Sequence, residues 1–159
     1  MAEDIFLKLA GIAGESQDAK HKGEIGISGW SWGVAQATAP GGGGGGAGKA
    51  EFHQLSLQKL VDLASVPLLA AAARGTHIAT GTLTVRRAGA TPQEFLVVNL
   101  KDIVVNSVTM VATEAGNRPS ETVALSFAQV DFEYTQFLAS GAKGATKAFK
   151  WDIATNKGL

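Results

Sequence analysis

The chain contains no cysteine. That excludes a disulfide framework and any thiolate metal site. No stretch approaches 18 apolar residues, so no segment reads as a membrane-spanning helix. There is no excess of charge of either sign, because 14 Lys and Arg balance 14 Asp and Glu. A neutral chain offers no electrostatic ground for binding nucleic acid or an anionic membrane. The start, "MAEDIFLKLAG", lacks a signal peptide's positive charge: Glu3 and Asp4 stand there instead, and the apolar run is short. These absences predict a soluble protein without a classical export address.

What is present is β-rich. The 159 residues suit one domain, 1–159. Ile5, Leu7 and Leu9 alternate in "DIFLKL", and Phe149, Trp151 and Ile153 alternate in "AFKWDI". Long strand-like runs cover 24–37, 50–58, 78–87, 94–110 and 121–137, separated by a glycine run, "AGATP" and "EAGNRPS". In three runs the apolar phase slips by one residue. Leu96, Val98 and Leu100 are followed by Ile103 and Val105; Val123, Leu125 and Phe127 by Val130, Phe132 and Tyr134; Ile25 and Ile27 by Trp30, Trp32 and Val34. With a side-chain period of two, each slip changes the face. β-Bulges near Ser28-Gly29, Lys101-Asp102 and Ala128-Gln129 would restore it and bend the strands, as a small barrel requires. Burial of both strand faces, one inside and one against another subunit, explains the same pattern, and both can hold. "ASVPLLAAAARG" predicts one helix over about 65–74, with Ser65 as N-cap, Pro67 in the first turn and Gly75 as terminator. Its surface is apolar almost throughout, so it packs against the barrel.

Two motifs imitate catalytic ones. "GWSWG" fits G-x-S-x-G with Ser31 at the centre, the elbow that presents a nucleophilic serine. No helix follows, and the formal partners, Asp62 then His77, have no parallel sheet to hold them. The pattern reads instead as a strand whose Trp30 and Trp32 share a face and pack, with Ser31 turned away. "GGGGAGKA", Gly43 to Ala50, nearly repeats the phosphate-binding loop, but Ala50 replaces the hydroxyl that would hold magnesium and a strand follows. His21, His53 and His77 show no metal-ligand spacing, and "GESQDAKHKGE", with Glu15, Asp18 and Glu24, reads as a solvated loop rather than a cation site. No cofactor is expected.

The stretch "DIFLKLAGIAGESQDAKHKGEIGISGWSWG" resembles the haemolysin-coregulated protein family, the tube proteins of bacterial type VI secretion. G-E-S-x-D, then H-K-x-E-I, then S/G-W-S-W-G is a long and specific signal. The resemblance continues through "THIATGTLTVRRAG", "EFLVVNLKDIVVNSV" and "ETVALSFAQVDFEYT" to "FKWDIATNK". It implies a mainly β fold, a small β-barrel with one packed helix like that of phage tail tube proteins. It implies homohexameric rings that stack, sheath proteins outside, a spike protein at the tip and effector proteins in the lumen. The protein would be cytoplasmic before firing and then secreted without a signal peptide. By position, Trp30, Trp32 and Trp151 become barrel-packing residues. Segment 38–49 becomes the loop that reaches the next ring, glycine-rich and flexible over 39–48, with Ala39, Pro40, Gly41, Gly44, Gly46 and Lys49 as stacking residues. Its glycines depart from the family, as do Gly26 and Gly29 where bulkier residues are expected. Ordering Gly41 to Gly46 would cost on the order of 10 kcal/mol, so the loop is expected to order only against another ring. The alternative is a stand-alone β-barrel that binds a small ligand or acts as an enzyme.

Overall fold

The computed structural model describes residues 3–37, 48–112, 114 and 118–159. The strands are β1 (Glu3–Leu9), β2 (Ile25–Ile27), β3 (Gly29–Ser31), β4 (Val34–Gln36), β5 (Ala50–Phe52) and β6 (Leu55–Leu60). After helix α1 (Ser65–Arg74) come β7 (His77–Arg87), β8 (Gln93–Val111), β9 (Ser120–Phe137), β10 (Lys143–Asp152) and β11 (Lys157–Gly158). All pairings are antiparallel, in the order β11-β10-β9-β8-β7-β1-β2, while β3 pairs with β6 and β6 with β9. The Ser28 N–H donates to the Gln58 carbonyl at 2.8 Å. The chain thus leaves β1 at Ile27 and joins β6 at Gly29. The ladders β9-β8-β7-β1, then β2 into β3, then β6 and back to β9 form a closed circuit: a small barrel.

Its interior is filled by side chains. Leu7, Ile25, Leu57, Leu83, Leu100, Ile103 and Leu125 are all essentially inaccessible. Gly81 is buried where strands cross closely; a Cβ there would lie 2.7 Å from Ile103 Cδ1 and 2.9 Å from Leu9 Cδ2. A side chain there would have to displace those two core methyl groups.

The three expected changes of face are present, but none arises from a bulge at the place proposed. In β8 the buried positions change from Leu100 to Ile103, and in β9 from Phe127 to Val130. Yet Lys101↔Gln129 and Ile103↔Phe127 keep one register, as do Ile78↔Ile103 and Thr80↔Lys101. No residue is inserted. Ala79, Asp102 and Ala128 lie level with one another, and all three strands change face together along this crease. Asp102 takes φ 53° there, a conformation that aspartate tolerates better than most residues. The register shifts occur elsewhere, between Val85 and Arg86 against β8 and between Val105 and Ser107. At the crease β9 also changes partner, from β6 (through Leu125) to β10 (from Gln129).

Run 24–37 is three short strands rather than one bent strand. β4 leaves the barrel and pairs with β5 as a separate hairpin, Val34↔Phe52 to Gln36↔Ala50. Helix α1 spans the expected residues, and Gly75 ends it at φ 66°, its N–H bonded to the Ala71 carbonyl. The N-cap differs. Ala64 occupies that position without a side-chain cap. Ser65 is the first helical residue, and its Oγ accepts from the Asp62 N–H and donates to Glu121. One face of α1, Leu68 and Ala71, is buried. The opposite face leaves Val66 73% and Leu69 41% exposed.

Candidate functional site

The alternation of Trp30 and Trp32 on and just after β3 directs both rings to one side, and both pack against the core. Trp32 stacks with Phe52 at 6.0 Å and Phe132 at 5.9 Å between centroids, and meets Phe127 at 6.0 Å. Phe149 stacks on Trp151 at 5.9 Å, and Phe52 reaches both. This aromatic layer fastens the base of the β4–β5 hairpin to the sheet. The cover is incomplete. An apolar groove of about 300 Å³ is lined by Trp30, Trp32, Val34, Phe132 and Phe149. The indole N–H groups of Trp32 and Trp151 are buried with no acceptor among the described residues, an unusual state for a buried indole.

At the other end of β9 lies a second apolar surface. Leu60 and Val111 both sit opposite Ser120 in their ladders, and Met110 precedes Val111. Leu60, Leu63, Val66, Leu69, Met110 and Val111 are all exposed. A buried polar cluster fixes the start of α1 beneath this surface. Lys59, 1% exposed, donates to Asp62 Oδ1 at 2.8 Å, to the Leu60 carbonyl at 3.0 Å and to Glu121 Oε1. Glu121 Oε2 has no partner among the described residues.

The segment read as a solvated loop is instead a folded one. The Gly14 N–H donates to the Gly23 carbonyl at 2.8 Å, and a Cβ at Gly14 would lie 2.4 Å from the Glu24 carbonyl oxygen. Asp18 accepts from the Lys20 and His21 N–H groups and from Arg86 of β7. The hydrogen bond from Arg86 lowers the Asp18 pKa to about 2, and backbone donors add to it. Arg86 in turn is raised, chiefly by that bond. The His21 ring is buried, stacks on Phe6 at 4.4 Å, and lies 2.9 Å from Glu24 Oε2 and 2.8 Å from Glu94 Oε1. Glu15 accepts from the Leu63 N–H at 2.8 Å. These carboxylates hold the chain: Asp18 and Glu15 accept backbone N–H groups, and Asp18 also accepts from Arg86.

The catalytic imitations come apart in space. Ser31 is exposed on β3, opposite Ser56. Asp62 is taken by Lys59, and His77 Nδ1 lies 2.6 Å from Asp102 Oδ1 at the crease. Ala50, at the end of the phosphate-loop imitation, begins a strand. Of the predicted stacking residues, Ala39, Pro40, Gly41, Gly44 and Gly46 lie outside the described residues, and Lys49 is exposed beside β5.

Residues 6–134 match the family described as "Type VI secretion system effector, Hcp". The chain is 40% identical to "Protein hcp1" of Pseudomonas aeruginosa (strain PAO1), over 98% of each chain. Among solved structures it is similar to Hcp1 from Salmonella typhimurium, with 34% identity, TM-score 0.82 and full coverage of both chains. A structure described as a type six secretion system protein superposes with TM-score 0.92 at 31% identity, covering 99% of this chain and 100% of that one. Matched by the family over most of its length and by these relatives almost end to end, the chain belongs to the Hcp family, the secreted tube proteins of type VI secretion.

Proposed function

We propose that this chain is the structural subunit of a type VI inner tube. It forms hexameric rings, the rings stack, sheath contraction expels them, and effector proteins travel in the lumen. It waits in the cytoplasm and leaves through the machine it builds.

The observation that carries this reading is the pair of apolar surfaces at opposite ends of β9. They are unlike each other, one aromatic and concave, the other aliphatic and helical. Two different patches on one subunit suit a head-to-tail interface, and such an interface closes into a ring when its rotation allows. Among the described residues, the strand edges without a strand partner include β3 on the side away from β6, β8 beyond Val104 on the side away from β9, and most of β10 on the side away from β9. The filled barrel interior speaks against a ligand carrier.

Segment 39–48, which follows β4 and precedes β5 in the chain, supplies the contact between rings in this reading. Trp30, Trp32 and Trp151 hold the base of that hairpin. Native mass spectrometry of metal-stripped protein, with electron microscopy of the same sample, tests the assembly. A sixfold mass and annular particles are expected; a monomer at micromolar concentration would overturn the reading.

A further inference from the structure

Of the three histidines only His21 is buried. Its ring stacks on Phe6 of β1 at 4.4 Å, with the planes 8° apart. Both ring nitrogens face carboxylates: Nδ1 lies 2.9 Å from Glu24 Oε2, and Nε2 lies 2.8 Å from Glu94 Oε1 on β8. These are hydrogen-bond lengths, and they set a proton count. An ionised carboxylate only accepts, and a neutral imidazole has one N–H and one bare nitrogen. The row Glu24–His21–Glu94 therefore needs two protons for its two bonds, and the neutral ring supplies one. With only that one, a nitrogen lone pair points at a carboxylate oxygen. The row closes fully when it holds one proton more.

The other charged groups around the ring are fixed or turned outward. On its own segment, Asp18 accepts from the His21 N–H at 3.2 Å and from Arg86 of β7, while Lys20 and Lys22 are exposed. Arg86 also lies over the Phe6 ring at 4.9 Å and pairs with Asp4 of β1. Its hydrogen bond holds the Asp18 pKa down to about 2, so the Asp18–Arg86 pair keeps its charges across the range in which histidines titrate. The two carboxylates that face the ring differ in exposure. The Glu24 side chain is 16% exposed and belongs to the same segment, whereas that of Glu94 is 39% exposed and can swing into water. Loss of the extra proton thus frees the Glu94 end, the one that crosses to the barrel.

From this geometry we infer that Glu24, His21 and Glu94 form a proton-dependent clamp, closed onto β8 when the imidazole is charged and released from β8 when it is neutral. The sign follows from the count: the closed state binds one proton more, so rising pH favours the open one. Opening is local. Asp18 stays on Arg86, and Glu15 stays on the Leu63 N–H. Residues 19–23 are then held only at their ends, and the shape of this surface follows pH. The device works within one copy and does not depend on how copies assemble.

Amide hydrogen exchange on the full chain tests this, from about pH 5 to about pH 9, a span that brackets the ordinary histidine range. Each rate is divided by that of an unstructured chain at the same pH. The reporters are the Gly23 N–H, bonded to the Ser16 carbonyl at 2.8 Å, and the Glu24 N–H, bonded to the His21 carbonyl at 3.2 Å. Their protection should fall at least about fivefold across the span, with a slope no steeper than about tenfold per pH unit, the limit for one released proton. Protection at Leu83, in the barrel, should stay level. Imidazole nitrogen spectra should show both His21 nitrogens protonated at the acid end and one at the alkaline end. Glu94→Gln is the decisive variant. A carboxamide accepts through its oxygen and donates through its nitrogen, so it meets the ring in either state. Its reporters should remain protected throughout. A flat profile in the parent, an unchanged pH profile in Glu94→Gln, a parallel loss at Leu83, or a singly protonated ring at the acid end would each overturn the inference.

Discussion

Replacing Lys59 by methionine tests how the helix is anchored. Lys59 is 1% exposed, and the Glu121 side chain beside it is fully inaccessible. The Lys59 ammonium meets Glu121, Asp62, Ser65 and the Leu60 carbonyl. Methionine fills nearly the same volume but leaves the Glu121 carboxylate buried with only the Ser65 hydroxyl, since its second oxygen already lacks a partner among the described residues. Removing one member of a buried pair costs about 3–5 kcal/mol. A domain of this size has about 5–15 kcal/mol in total. Each kcal/mol shifts the melting temperature by about 2–4 °C at this length, so Lys59→Met should melt about 6–20 °C below the parent. The double variant Lys59→Met/Glu121→Met removes the uncompensated charge and should recover at least half of that loss. Differential scanning calorimetry at one fixed protein concentration is the assay, because assembly shifts the midpoint by mass action. If the double variant loses the sum of the two single losses, the pair is not coupled and the reasoning is refuted.

Acid should loosen the 11–24 segment. The Asp18 pKa lies at about 2 against an ordinary 3.8, so its contribution is present above about pH 4 and is lost as pH falls toward 2. Urea midpoints of Asp18→Asn should therefore fall less than the parent's across that window, and parallel curves would contradict the assignment. Gly81→Val places a branched side chain within 3 Å of Ile103 and Leu9; a loss of at least about 2 kcal/mol is expected in chemical unfolding. Ser31→Ala should change stability by no more than about 0.5 kcal/mol, while Trp32→Ala costs about 3 kcal/mol, the lower end for a large ring that is only partly buried. Thermal melts compare the two, and any esterase activity abolished by Ser31→Ala would restore the nucleophile reading. Exchanging Pro40 to Gly48 for an Asn-Gly turn should leave melting temperature and ring mass unchanged and reduce tube length and secretion; normal secretion would remove the loop from stacking.

Strand positions and the crease were legible because both are written in local alternation. The slip from Leu100 to Ile103 marks the crease to within one residue. What alternation cannot show is whether neighbouring strands slip together, and that decides between a bulge and a crease. The split of β2, β3 and β4 was hidden because Trp30, Trp32 and Val34 keep one phase across a change of partner. The Asp18–Arg86 contact joins residues 68 apart, and nothing in the loop's composition announces it. The buried Lys59–Glu121 pair did leave a signal. Lys59 is in phase with Leu55 and Leu57, and Glu121 with Val123 and Leu125, so each strand brings one charge of opposite sign onto its inward face. The groove was not legible, since its five residues come from β3, β4, β9, β10 and the turn after β3.

The crease has a mechanical consequence. Strands β7, β8 and β9 pass through it unbroken, so the two halves of the barrel share three continuous covalent chains rather than meeting at a packed seam. A shear between the halves must stretch backbone, not separate side chains. A subunit pushed from behind along a tube would carry such a load as one rigid block, yielding at its contacts with neighbours before it yields within itself.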